Sequence, residues 1–136
     1  MSEVTANPGD AETQPVGLGK DEVLTVECRG VKWRSRMLTY GEFLAYQSGR
    51  DALLAELPSI DSEDADGKKA WSDRWDAWAR GLIADCIVGW GETKARLEGE
   101  NLDRVMSAEA GKAAAELAGA LMESQGSTEA LWAGFR

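Results

Sequence analysis

Three stretches of this 136-residue chain carry side chains at spacings that invite chemistry. Gly17-Leu18-Gly19-Lys20 has the glycines and lysine of a phosphate loop. Such a loop needs Gly, four residues, then Gly-Lys-Ser/Thr, after a strand and before a helix. Asp21 stands where the magnesium-holding hydroxyl belongs, and a strand pattern follows, so the stretch reads as a linker. Ser62, Asp64, Asp66, Gly67 and Asp73 match positions one, three, five, six and twelve of a calcium-binding EF-hand loop. Position one lacks its carboxylate and position twelve has the shorter acid. Lys69 fills the place where an apolar residue would meet a sister loop. A solvated acidic linker is the expectation. Lys32, Arg34 and Arg36 alternate along one run, with Arg29 at the preceding turn. They form a basic patch suited to an acidic partner or to the chain's own acidic loop, or else a plain solvent-facing sheet surface.

The chain has no histidine. The commonest general base and metal ligand is therefore missing, and a serine or cysteine nucleophile would have no imidazole to activate it. No spacing favours paired-carboxylate or lysine chemistry, so neither an enzyme nor a cofactor is expected. A net charge of −9 argues against nucleic acid, which calls for clustered Lys and Arg. It favours solubility and a basic protein partner. No apolar run approaches the ~20 residues of a membrane span, and the polar N-terminus does not read as a secretion signal. Cys28 and Cys86 read as small buried hydrophobes in a reducing compartment.

The strongest apolar feature is Trp71, Trp75 and Trp78, which lead into Leu82 and Cys86 on one helix face. The stripe spans roughly 140° at helical spacing and uses half of the chain's six tryptophans. It is either core or a partner-binding face, since partly exposed indoles anchor apolar helices from other proteins.

The elements that would position these residues follow from local pattern. Residues 1–20 lack periodicity and read as a disordered acidic arm, ahead of a single domain over 21–136. Val23–Cys28 and Val31–Leu38 alternate with period two around Arg29-Gly30, a β-hairpin. Thr39 and Glu42 form a capping box that opens a helix with Phe43, Leu44, Gln47, Leu53, Leu54 and Leu57, weak at Ser48-Gly49 and ended by Pro58. The acidic loop leads to a tryptophan helix from about Lys68 to Val88, stopped by Gly89-Trp90-Gly91. Leu102, Val105 and Met106 suggest a short helix capped by Asn101. Ser107 caps an alanine-rich helix with Ala110, Ala114, Leu117 and Leu121 facing inward. Gly111, Ala115 and Gly119 on its other side would let another helix approach closely. Gln125-Gly126 breaks that helix, and Ser127 starts a last one carrying Trp132 and Phe135. The expected fold is α+β, mostly α: an N-terminal hairpin followed by a small bundle of four to five helices.

The order of motifs resembles a known family. A hairpin ends in Met37-Leu38-Thr39-Tyr40-Gly41-Glu42-Phe43-Leu44. A helix carries Ile83-Ala84-Asp85-Cys86-Ile87-Val88-Gly89-Trp90-Gly91. A polar connection precedes Glu100-Asn101-Leu102-Asp103-Arg104-Val105-Met106, and an alanine-rich helix reaches Ser124-Gln125-Gly126. Over about residues 22 to 126 this is similar to the small tail assembly chaperones of long-tailed bacteriophages. The tryptophan-rich start of the second helix and the acidic arm are not part of that pattern. The resemblance implies a non-enzymatic role in the cytoplasm of the infected bacterium. Such proteins coat the tape measure protein, help bring tail tube protein to it, and leave as the tube grows. Self-association is compatible with it, and no membrane or nucleic acid is implied. Trp71, Trp75, Trp78, Trp132 and Phe135 are then the candidate client contacts. A permanent virion component, in the tail or at the head–tail joint, is the main alternative. An acidic inhibitor of a basic groove would gather acidic residues on one face; Glu109, Glu116 and Glu123 share one, interrupted by Lys112.

Overall fold

The computed structural model describes the backbone of residues 23–133 and the side chains of residues 24–127. The expected acidic arm, with Gly17-Leu18-Gly19-Lys20, lies outside the described residues, as do Phe135 and the side chain of Trp132. Strands β1 (Val23–Cys28) and β2 (Val31–Arg36) form the hairpin. Arg29 (φ 53°) and Gly30 (φ 77°) supply its two-residue turn, both with the positive φ that a type I′ turn demands. Helix α1 (Tyr40–Glu56) opens on the capping box. Thr39 Oγ1 accepts from the Glu42 N–H, and the Glu42 carboxylate accepts from the Thr39 N–H. The helix runs unbroken through Ser48-Gly49 and tightens to one 3₁₀ turn at Leu57–Ser59, around Pro58.

Helix α2 (Ala65–Cys86) starts earlier than the expected Lys68 because Asp64 caps it, Oδ1 accepting from the Gly67 N–H. That start places Asp66 and Asp73 on a helix, so the acidic stretch cannot wrap as a twelve-residue calcium loop. At its other end α2 passes without a loop into a third strand, β3 (Ile87–Trp90), where a helical Val88 and a glycine stop were expected. The sheet is therefore three-stranded, in the order β1-β2-β3 and antiparallel throughout. Two arginines make this junction feasible. Arg36 Nε donates to the Asp85 carbonyl at 2.8 Å and Arg96 Nη2 to the Ala84 carbonyl at 3.0 Å. They satisfy last-turn carbonyls that a glycine cap would otherwise serve.

β2 and β3 change register between Arg34 and Ser35, where Val88 is the extra residue of a bulge. Arg34 then lies across Gly89 and donates to the carbonyls of Gly91 (2.7 Å) and Thr93 (2.6 Å). A Cβ on Gly89 would stand 2.7 Å from Arg34 Nη2 and 2.8 Å from the Thr93 carbonyl oxygen. Gly89→Ala is expected to cost about 2–3 kcal/mol, as overpacking against backbone does, measured as a lower urea midpoint with an unchanged slope. A neutral result would mean the β3 turn can open without cost.

The last helical stretch, from Gly99, is one body bent in the middle. Helix α3 (Gly99–Ser107) and helix α4 (Lys112–Ala133) meet at a 3₁₀ elbow, Ala108–Gly111. Counting that bent stretch once gives three helical bodies, not four to five. Glu109 (φ 50°) and Ala110 (φ 57°) are left-handed at the elbow without being glycine, a conformation costing about 1–3 kcal/mol each. Several expectations change here. Glu98, not Asn101, is the N-cap of α3. Ser107 turns its hydroxyl back onto the Asp103 carbonyl inside α3, and Ala110 is exposed at the bend. Gln125-Gly126 and Ser127 lie within α4, so no break or new helix occurs there.

The core lies between α2, α4 and the inner sheet face. Leu82, Ile83, Cys86 and Ile87 from α2 and β3 meet Leu117 and Leu121 of α4, with Leu97 closing one side. The core polar pair is Ser35 and Gln125. The Gln125 amide accepts from the Leu38 N–H (3.0 Å) and donates to the Arg36 carbonyl (2.9 Å) and Ser35 Oγ (3.2 Å). Gln125 is therefore an anchor between α4 and the end of β2, which is why the helix continues through it.

Candidate interaction surface

Trp71, Trp75 and Trp78 form a ladder on the side of α2 that faces α1. The i,i+4 and i,i+3 spacing stacks each ring above the last. Trp71 and Trp75 centroids are 5.3 Å apart with planes at 18°, and Trp75 and Trp78 are 5.1 Å apart at 40°. The outer indoles use their N–H groups inward. Trp71 Nε1 donates to the Leu53 carbonyl at 2.7 Å, one of the last-turn acceptors of α1. Trp78 Nε1 donates to the Tyr46 carbonyl at 2.9 Å. Gly49, which local propensity marks as a weakness, is what lets Trp78 come so close: a Cβ there would lie 3.3 Å from Trp78 Cδ1. Arg74 reinforces the end of the contact with a two-pronged pair to Glu56.

The ladder is thus neither wholly core nor wholly free. All three indoles are half-buried: their inner edges join α1 to α2, and the remaining surface faces solvent. Nearby, Leu54 and Leu57 follow Leu53 in sequence and are 44% and 43% exposed, while Leu53 itself is buried. Tyr40 and Leu44 add exposed apolar surface at the other end of α1. Spacing identified the indoles, but it placed Leu44, Leu54 and Leu57 only on a helix, because α1 alone does not say which neighbour covers which face. On α4, the small residues Ala115 and Gly119 are exposed.

The basic residues of the hairpin do not act as one patch. Arg29, at the turn, pairs with Glu109 and Glu116. Arg34 is spent on the β3 turn, as above. Lys32 is exposed, across from Glu27 on β1. Arg36 is the hub of a mostly covered cluster, its side chain 17% exposed. Its guanidinium grips the Glu42 carboxylate with both terminal nitrogens at 3.1 Å, and Nη2 also meets Asp85 Oδ1 at 2.6 Å. Tyr46 donates its hydroxyl to Asp85 Oδ2 at 3.0 Å. The Arg36 guanidinium and the Thr39 N–H hold the Glu42 carboxyl down at about 2, from 4.5. Burial, then the Asp85 contact, pushes the Tyr46 phenol up. These groups join β2, α1 and the end of α2, and all of them are engaged with one another.

Both cysteines are free. Burial raises the Cys86 thiol to about 12, and burial with the nearby Glu116 carboxylate raises Cys28. Neither is activated as a nucleophile, since reactive thiols need the opposite shift. Cys28 instead lines a cavity of about 210 Å³ between the hairpin turn and the elbow, with Arg29, Trp33, Arg104, Val105, Ala108, Ala113 and Leu117. Sequence reasoning missed this cavity: Cys28 and Trp33 showed only the inward phase of their strands, and the elbow carries no local signal.

No helix among the described residues is long and apolar enough to cross a membrane. No family model matches the chain, and no curated protein or solved structure shows a significant match to it.

Proposed function

We propose that this chain is a tail assembly chaperone of a long-tailed bacteriophage. In this reading it works in the cytoplasm of the infected cell, covering apolar helical segments of the tape measure protein and helping to bring tail tube protein to them. The motif order over residues 22 to 126 motivates the family. The observation that carries the binding mode is the half-exposed ladder of Trp71, Trp75 and Trp78 beside the exposed Leu54 and Leu57. Large rigid rings that keep part of their surface in solvent offer contact area at low entropic cost. The acidic excess keeps such a surface soluble while it waits for a client.

The test is co-expression with the tape measure protein encoded nearby, scored by soluble yield and co-purification. Trp75→Ala is the informative variant, because Trp71 and Trp78 also hold α1 through their N–H groups and Trp75 has no such bond among the described residues. The expected result is rescue of an otherwise insoluble client by the native chain, weakened at least about tenfold by Trp75→Ala (the size of a modest hot spot), with an unchanged circular dichroism spectrum. Absence of rescue and of co-purification, together with recovery of the chain in finished particles, would overturn the chaperone reading in favour of a virion component.

A further inference from the structure

We propose that the cavity beneath the α3–α4 elbow is a binding site for a small neutral aromatic molecule of one or two rings. Its size sets the upper limit. At about 210 Å³ it exceeds the roughly 150 Å³ apolar cavity that suffices for benzene. Its chemistry sets the class. Trp33 contributes an aromatic wall, Val105 and Leu117 contribute aliphatic ones, and Ala108 and Ala113 leave room where larger residues would fill the space. The Trp33 N–H is already donated to the Cys28 carbonyl at 3.3 Å, so the indole presents carbon rather than a polar atom.

The rim makes the same case from charge. Arg29 is held by Glu109 and Glu116. With Arg104, that gives two positive and two negative side chains and no net formal charge. The rim as a whole favours neither sign of ligand, and a neutral ring would leave the Arg29 pairs intact.

Backbone geometry is an independent sign that the space is maintained. The cavity sits where α3 and α4 fail to become one straight helix, and the bend uses left-handed Glu109 and Ala110. Arg29, which pairs with Glu109 at the elbow, takes its own positive φ from the hairpin turn. Glu109 and Ala110 directly follow Ala108, which lines the cavity. Strain of this kind persists where neighbours over-determine it and collects at ligand clamps. This site is separate from the tryptophan ladder and stands whether or not the chaperone reading holds.

Cys28 lines the cavity and is half-buried, while Cys86, the other thiol of the chain, is fully buried. Occupancy can therefore be read from the rate at which a thiol reagent modifies Cys28 in the native full chain, at about pH 9 to offset its raised thiol. Indole is the probe. At about ten times its dissociation constant it is expected to slow modification about tenfold, by mass action. Ala113→Leu and Ala108→Leu fill the cavity from two different walls. Each is expected to abolish the indole effect while keeping the native circular dichroism spectrum. An unchanged Cys28 rate up to the solubility limit of indole overturns the proposal. So does indole protection that survives in a natively folded filled variant.

Discussion

Gln125→Leu is expected to destabilise the fold by about 2–4 kcal/mol, although it swaps a polar residue for an apolar one of similar size inside a helix. Gln125 is 3% exposed and Ser35 is fully buried. The amide oxygen is the acceptor for the Leu38 N–H, which lies just beyond β2 and has no strand partner. Leucine would leave that buried donor unmade, and a buried unmade donor costs more than a formed bond gains. The Arg36 carbonyl would keep the Ser35 hydroxyl, which donates to it at 2.8 Å, so the loss concentrates on Leu38. Ser35→Ala is the control: it leaves the Leu38 bond in place and should cost only about 1 kcal/mol. Urea unfolding of both variants checks this. If Gln125→Leu costs no more than Ser35→Ala, the α4 anchor is not the Leu38 bond.

Arg36→Met is expected to cost about 2–3 kcal/mol. Removing one partner of a buried pair typically costs about 3–5 kcal/mol. Here the carboxylates of Glu42 and Asp85 keep 39% and 34% of their side-chain surface, so solvent screening reduces the loss. The variant also uncaps the Asp85 carbonyl at the end of α2, where a nearby carboxylate is already unfavourable against the helix dipole. A pH signature identifies the cause. The Glu42 carboxyl is lowered in the folded state, so its contribution is fully present above its unfolded value of 4.5 and is lost as pH falls through about 2. With Glu42 partly exposed, that contribution is discounted to about 1 kcal/mol. Unfolding midpoints followed from neutral pH to acid should fall across this window in the native chain. In Arg36→Met the Glu42 part of the slope should shrink, because only the Thr39 N–H then holds the carboxyl low. An identical acid slope in both proteins would show that Thr39, not Arg36, sets the Glu42 value.

Gln125 and Arg36 also show where reading the sequence stops. Gln125-Gly126 looks like a helix break because a polar residue followed by glycine has poor local support. Only the position of Leu38 across the core turns that glutamine into an anchor. Arg36 looks like one of three alternating solvent-facing cations, and period two did place Lys32, Arg34 and Arg36 on one sheet face. What lies over that face is decided by α1, which follows at once, and by the end of α2, some fifty residues on.

Three features were legible from local residues. The hairpin follows from alternation around Arg29-Gly30, the start of α1 from Thr39 and Glu42, and the tryptophan ladder from helical spacing, because each depends on neighbours within about one turn. Tertiary structure alone decided the third strand, the elbow and the cavity. Ile83, Cys86 and Ile87 fit a helical stripe as well as a helix end followed by a strand. The open edge of β2 and the caps from Arg36 and Arg96 select the strand. Glu109 and Ala110 carry nothing that asks for left-handed backbone, and a hairpin residue some eighty positions earlier, Arg29, holds them there. Local residues fix which conformations are inexpensive. Long-range contacts fix which costly ones are kept, and those contacts shape the cavity and leave the tryptophan ladder half open.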